Sequence, residues 1–356
     1  MLNNMNSNCL SPTIGMRFLR MVRKCWLIEA LDMRYLSKLK HERCHCKTAK
    51  EIGLSNIIAL IWDCDKTLID GYMQDPIFAD YKIDSHDFWT EVNTAPERLE
   101  AKGMRVNHDT YYLNAFIRES RQDGKFAGLN NGKLREYGAR EKFYPGVIDF
   151  FKKTKSMFRD DNRYSELGVQ VENYIVSTGF AEVIRGSELY DYVDGIWGCE
   201  LLDTKDSAGN KVLGETIYTI DNTTKTRALF EINKGIGKIE GIDVNSKIAK
   251  EDRRVQFENM IYIADGPSDI PAFSVVNKNN GSTFAIYPHG DMKALSQVEK
   301  MREDGRINMY AEANYEEDTT ANMWLTNKIE ELATRIRERE NNRITSGVSS
   351  SPKHLV

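Results

Sequence analysis

Asp63, Asp65, Ser177, Lys225, Asp265 and Asp269 are the residues of this 356-residue sequence whose types and spacing could do chemistry together. Four carboxylates at close quarters repel and raise one another's pKa, so the set calls for a cation. All-oxygen donors without His or Cys select a hard divalent ion, and Mg²⁺ is the usual one where a phosphate supplies further ligands. With that ion, the parts demanded by phosphoryl transfer are all present: an attacking oxygen, a proton donor and positive charge on the equatorial oxygens. Asp63 is the natural attacker, giving an aspartyl-phosphate that divides one hard hydrolysis into two easier steps. Asp65, two residues on, is placed to protonate the leaving oxygen and then to activate water. Ser177 and the Thr178-Gly179 backbone offer hydrogen bonds to phosphate oxygens, and Lys225 offers compensating charge.

Bringing these residues together requires particular elements. Ile57-Ile58-Ala59-Leu60-Ile61-Trp62 is apolar without alternation, which suits a strand of a parallel sheet covered by helices on both faces. Tyr174-Ile175-Val176 repeats the pattern and stops at Ser177-Thr178-Gly179. Met260 to Ala264 repeats it again and stops at Asp265-Gly266-Pro267-Ser268-Asp269, and Thr283 to Tyr287 stops at Pro288. In open α/β sheets ligands bind beyond the carboxyl ends of the strands, so neighbouring strands would collect these clusters at one edge.

Helices are expected over Val147–Phe158, Phe180–Leu189, Lys225–Ile232 and Asn322–Arg339. Thr223-Thr224 reads as the cap of the third of these and Gly235-Ile236-Gly237 as its stop. Residues 196–220 read as short strands with a turn at Ala208-Gly209-Asn210. Residues 70–142 show helical groupings over Asp87–Leu99 and Asp109–Arg118 and little strand signal. Gly124, Gly128, Gly132 and Gly138 are expected to break the later part, and the whole reads as a mainly helical insertion.

On these residues the chain resembles the haloacid-dehalogenase-like (HAD) hydrolases. Asp63-Cys64-Asp65-Lys66-Thr67-Leu68 is similar to their DxDxT first motif, Ser177 to the second, Lys225 to the third and Asp265-Gly266-Pro267-Ser268-Asp269 to the acidic fourth. The resemblance spans roughly residues 55–290. It implies a Rossmann-like core, residues 55–69 and 143–340, with a C1-type cap inserted over residues 70–142. It also implies Mg²⁺ held by the Asp63 side chain, the Asp65 main-chain carbonyl and Asp265, with Asp269 in support. Residues 184–214 are similar to the phosphoserine-phosphatase-like branch, and the acid at position 65 favours phosphatase over dehalogenase chemistry. Ala264 departs from the Gly that often precedes the fourth motif. Lys234 and Lys238 stand near enough in sequence to compete with Lys225.

Composition narrows the partners. A formal charge of -4 gives no basic surface for nucleic acid, and no apolar run approaches the roughly 20 residues of a bilayer span. Six cysteines in a chain this long fit reduced thiols, hence a cytoplasmic protein. Residues 1–54 read as an extension whose Cys44-His45-Cys46 lacks the second ligand pair of a structural zinc site, and residues 341–356 as a disordered tail. Cys64 reads as a packing residue whose oxidation would silence the site. The expectation is thus an enzyme acting on a small-molecule phosphate ester. A non-catalytic binding protein of the same fold, or a phosphatase for a protein substrate, remains the alternative, and oligomeric state is not legible.

Overall fold

The sheet is built outward from β1 (Ile57–Trp62), all of whose residues are buried. The computed structural model describes residues 56–348, so the expectations for residues 1–54, Cys44-His45-Cys46 included, lie outside the described residues. Apart from Lys238–Glu240, the described residues form one unit. Its other strands are β2 (Gln170–Phe180), β3 (Gly195–Lys205), β4 (Lys211–Tyr218), β5 (Met260–Ala264), β6 (Ser282–Tyr287) and β7 (Met309–Glu312). They form a seven-stranded sheet in the order β4-β3-β2-β1-β5-β6-β7. All neighbours run parallel except β3 and β4, which form the expected hairpin.

The register sets the site. Trp62 pairs with Ile175 on one side and Ile263 on the other, and the Asp63 amide donates to the Ile263 carbonyl at 2.8 Å. Asp63 is therefore level with Val176 and Ala264, one residue before Ser177 and Asp265. Strand β2 is longer than Tyr174–Val176, because Phe180 pairs with Cys199 after a register shift that spans Ser177–Gly179. Such an irregularity re-aims side chains near the end of a strand, and here it falls on the polar triplet, of which Ser177 and Gly179 are buried.

Helices cover both faces. Helices α1 (Asp75–Tyr81), α2 (Ser85–Glu100), α3 (His108–Glu119) and α4 (Asn131–Gly138) follow β1, and α5 (Val147–Ser156) and α6 (Asn162–Ser165) lead into β2. Then come α7 (Ala181–Gly186), α8 (Thr224–Lys234), α9 (Ile270–Lys278), α10 (Met292–Glu303) and α11 (Thr320–Val348). Trp62 packs against Phe151 with ring centroids 5.1 Å apart, and its indole N–H donates to Asn173. The expected helix from Phe180 to Leu189 is shorter: α7 ends at Gly186 and a 3₁₀ turn follows.

Two sequence expectations are corrected. The final helix runs through Val348, past the boundary drawn at Asn341; residues 349–356 lie outside the described residues. Its apolar stripe Leu325, Ile329, Leu332, Ala333 and Ile336 is buried, Arg339 reaches Glu258 at 3.3 Å, and no proline interrupts the chain before Pro352, so the turns continue. Gly132 does not break the insertion but lies inside α4, whereas Gly138 is the helix's last residue. A Cβ on Gly138 would stand 2.0 Å from the Val183 carbonyl oxygen, and one on Gly186 would stand 1.9 Å from that of Arg135. The glycines are there because α4 meets α7 backbone to backbone. Asn131 adds a hydrogen bond to the Leu201 carbonyl at 2.7 Å and the Leu213 amide one to that of Leu129 at 2.8 Å, so the end of the insertion is fastened to the hairpin. No described helix is long and apolar enough to cross a membrane.

Candidate active site

Lys225, in the first turn of α8, is 1% exposed and puts its ammonium 3.1 Å from Asp63 Oδ1 and 2.7 Å from Asp269 Oδ1. It thereby ties the loop after β1 to the loop after β5. Tyr262, on β5, donates its hydroxyl to the same Asp269 oxygen at 2.6 Å, and Ser268 donates to Oδ2 at 2.9 Å. Of the competing lysines, Lys234 is spent on the carbonyls of Val244 and Ser246.

One oxygen from each of Asp63, Asp265 and Asp269 lies within 4.8 Å of the others. The half-buried Asp65 carboxylate is outside that trio and accepts from the Met73 amide at 2.9 Å. Charge at this edge is underbalanced. Burial pushes Asp63 up to about 7, with Lys225 pulling down and Asp269 and Asp265 pushing further up. Burial followed by Asp63 takes Asp65 to about 7, and burial followed by Asp269 takes Asp265 to about 6. Lys225 itself is driven up: burial opposes its charge, but Asp269 and Asp63 outweigh that. One ammonium thus meets several carboxylates and contacts two of them. An oxygen-only donor set with surplus negative charge fits a hard divalent cation, with Asp63, Asp265 and Asp269 as its holders.

The phosphate-binding candidates sit beside this trio. Ser177 is buried, and its Oγ accepts from the Gly179 amide at 3.0 Å. The Thr178 carbonyl is held by the Tyr112 hydroxyl of α3 and by the Cys199 thiol of β3 at 3.1 Å. The insertion therefore touches both polar loops, through Met73 at Asp65 and Tyr112 at Thr178. Phe180 packs edge-on against Phe116 of α3 at 5.2 Å, extending the aromatic core of the insertion to the loop. Glu141, at the return of the insertion, has a buried Oε1 without a partner, and burial, then Asp65 and Asp75, push it up to about 9.

Tyr262, Met73, Tyr112 and Glu141 escaped the sequence reading. Met73 acts through its backbone, which no residue type announces. The tyrosines read as core aromatics, and only the pairing of distant elements shows where their hydroxyls end. Cys64 is buried, and burial, then Asp65 and Asp63, push its thiol well above the ordinary range. That environment disfavours the thiolate through which oxidation begins. Of the insertion's arginines Arg98, Arg105, Arg118 and Arg121, candidates for substrate contact only in being cationic, the first three are exposed and Arg121 is half-buried.

No protein-family model matches the chain. An uncharacterized protein of Borreliella burgdorferi is 36% identical over 288 residues, covering 77% of this chain and 97% of its own length. The two belong to one family. Among solved structures, a HAD family hydrolase of Salmonella enterica serovar Typhi aligns at TM-score 0.45 and 15% identity, over 85% of this chain and 77% of that one. A phosphoserine phosphatase carrying a phospho-aspartyl intermediate analogue aligns at TM-score 0.41 and 19% identity, over 71% and 91%. The mostly parallel seven-stranded sheet is the α/β architecture expected from the sequence.

Proposed function

We propose that this chain is a Mg²⁺-dependent phosphatase of the haloacid-dehalogenase-like superfamily that hydrolyses a small-molecule phosphomonoester through an aspartyl-phosphate. The observation that carries this reading is the trio Asp63, Asp265 and Asp269 with Lys225 between two of its members. Asp63, Asp265 and Asp269, with the Asp65 main-chain carbonyl, would hold the ion, which when bound neutralises the carboxylates and polarises the phosphate.

In the first step a carboxylate oxygen of Asp63 forms a bond to phosphorus as the bond from phosphorus to the ester oxygen breaks. Asp65, pushed up to about 7 and so still carrying a proton near neutral pH, passes that proton to the leaving oxygen. In the second step water attacks phosphorus, Asp65 takes a proton from it, and inorganic phosphate leaves as Asp63 is regenerated. Lys225 positions Asp63 and offsets the charge on the phosphoryl oxygens, and Ser177, its Oγ held by the Gly179 amide, donates to those oxygens with the Thr178 amide.

We assign the lid to residues 70–142. Met73 and Tyr112 of this segment already hydrogen-bond to the polar loops, which supports a small substrate over a macromolecular one. The buried free thiols of Cys64 and Cys199 are in keeping with a reducing, cytoplasmic setting. The test is hydrolysis of p-nitrophenyl phosphate by the full chain with and without Mg²⁺. Metal-dependent release of phosphate is expected; none from a broad panel of phosphomonoesters would return the chain to the binding-protein alternative.

A further inference from the structure

The peptide between Thr178 and Gly179 is pinned at both ends, and one of the pins comes from the insertion. Its N–H donates to Ser177 Oγ at 3.0 Å. Its carbonyl accepts from the Tyr112 hydroxyl of α3 and from the Cys199 thiol of β3. A thiol is a weak donor, so the tyrosine carries most of that grip. The Tyr112 ring is itself fixed: it is buried, with ring centroids 5.7 Å from Trp89 and 6.2 Å from Phe180.

Other contacts hold the insertion to the same loop. Met73 Sδ accepts from the Phe180 amide at 3.0 Å, and a Cβ on Gly179 would stand 2.3 Å from that sulfur, so the close approach requires glycine. The start of α3 is clipped to the start of α8, the helix that carries Lys225. Asn107 caps α3 through the Thr110 amide and donates to Asp221, which accepts from the amides of Thr223 and Thr224. Helix α3 is thus held from two sides, with Tyr112 aimed at Thr178.

A serine hydroxyl has one proton to donate and lone pairs with which to accept. Ser177 is 1% exposed and its oxygen accepts the Gly179 N–H, yet none of the described residues accepts its own proton. Turned over, the Thr178-Gly179 peptide would present its carbonyl to Ser177 in place of its N–H, and that carbonyl would take the proton.

We infer that Tyr112 is a positioning residue for the phosphate group of the substrate, holding this peptide in the orientation that leaves the Ser177 proton for a phosphate oxygen. The inference rests on the phosphatase reading and deepens it. Tyr112 acts through the peptide and on Ser177, at one remove from the phosphate.

Tyr112→Phe keeps the ring and removes only the hydroxyl. With the full chain, Mg²⁺ and p-nitrophenyl phosphate, it should raise the KM and the Ki of inorganic phosphate together by about fivefold or more, the range of one hydrogen bond, with kcat within about threefold. Ser177→Ala should raise that Ki as much. Tyr112→Phe added to Ser177→Ala should then raise it less than about twofold further, because the proton that Tyr112 serves is gone. An unchanged Ki, or equal rises in both backgrounds, would overturn the inference while leaving the phosphatase reading standing. Should Tyr112→Phe fail to fold, Cys199→Ala removes the other donor to the same carbonyl and should raise Ki about twofold; no rise would overturn the inference. Release of phosphate from none of a broad panel of esters would overturn both.

Discussion

The loops after β1 and β5 look alike in sequence, an apolar buried strand ending in two acids, yet they treat their acids differently. In the first loop the leading acid, Asp63, is gripped by Lys225, and the second, Asp65, is held only by the Met73 amide of the insertion. In the second loop the leading acid, Asp265, has no lysine within ion-pair distance, and the trailing one, Asp269, is gripped by Lys225, Tyr262 and Ser268. The gripped acids are thus one from each loop, and so are the loosely held ones. Spacing along the chain makes pairs that the fold re-sorts: one pair with Lys225, another whose charge is left for an ion or a proton to offset.

The largest effect that would break this comparison is on turnover. Asp63→Asn should lower hydrolysis of every phosphomonoester by at least about 1,000-fold, since it removes the attacking oxygen. Asp65→Asn should cost about 100-fold or more with alkyl esters and less with an aryl ester, whose leaving group needs no proton. Steady-state rates on the two ester classes check both, and equal losses for Asp65→Asn would rule out its role as an acid.

Stability separates the acids of the second loop. Asp269→Asn leaves buried Lys225 short of a partner and should destabilise by about 3–5 kcal/mol, the cost of breaking a buried ion pair. Asp265→Asn removes surplus charge and should leave the metal-free melting temperature unchanged or higher. Thermal melts in chelator measure both, and the reverse order would undo the division into gripped and loose acids.

Proton release gives a smaller signal. Asp63 and Asp65 are pushed up to about 7 and Asp265 to about 6, whereas unfolded carboxyls titrate near pH ~4. A raised carboxyl pKa favours the fold fully below the unfolded value, and that stability is lost as pH rises through the folded one. The metal-free chain should therefore lose stability between about pH 4 and about pH 7. Added Mg²⁺ should raise the melting temperature more at pH 8 than at pH 5; an equal rise at both would sever the link between the loose acids and the ion.

The smallest effect concerns what only the first loop has. Gly71 adopts φ +115°, and a Cβ there would lie 2.7 Å from Asp75 Oδ2. Gly71→Ala should cost about 1 kcal/mol and, by loosening the turn that brings the Met73 amide to Asp65, slow alkyl esters more than aryl ones. A uniform change across esters would detach Met73 from the acid.

Much of the architecture could be read locally. Uninterrupted apolar runs marked β1, β5 and β6 within a residue of their observed ends, because a strand buried on both faces writes its burial into every position. The Gly235 stop of α8 was legible because its left-handed conformation suits glycine. Strand β7, with four residues, and helices α9 and α10 left weaker patterns and were not read. Gly138 ends α4 as its type suggested, but its contact with the backbone of α7, far along the chain, was not legible.

What the sequence by itself determined is which acids end which strands, since apolar continuity and the polar residues that stop it are properties of consecutive positions. The tertiary structure alone decided that Lys225 joins Asp63 to Asp269 and that Met73 and Tyr112 reach the polar loops. Those outcomes depend on strand register and on helices brought together from distant parts of the chain, and a charge is paired or unpaired only by what stands within a few ångströms of it.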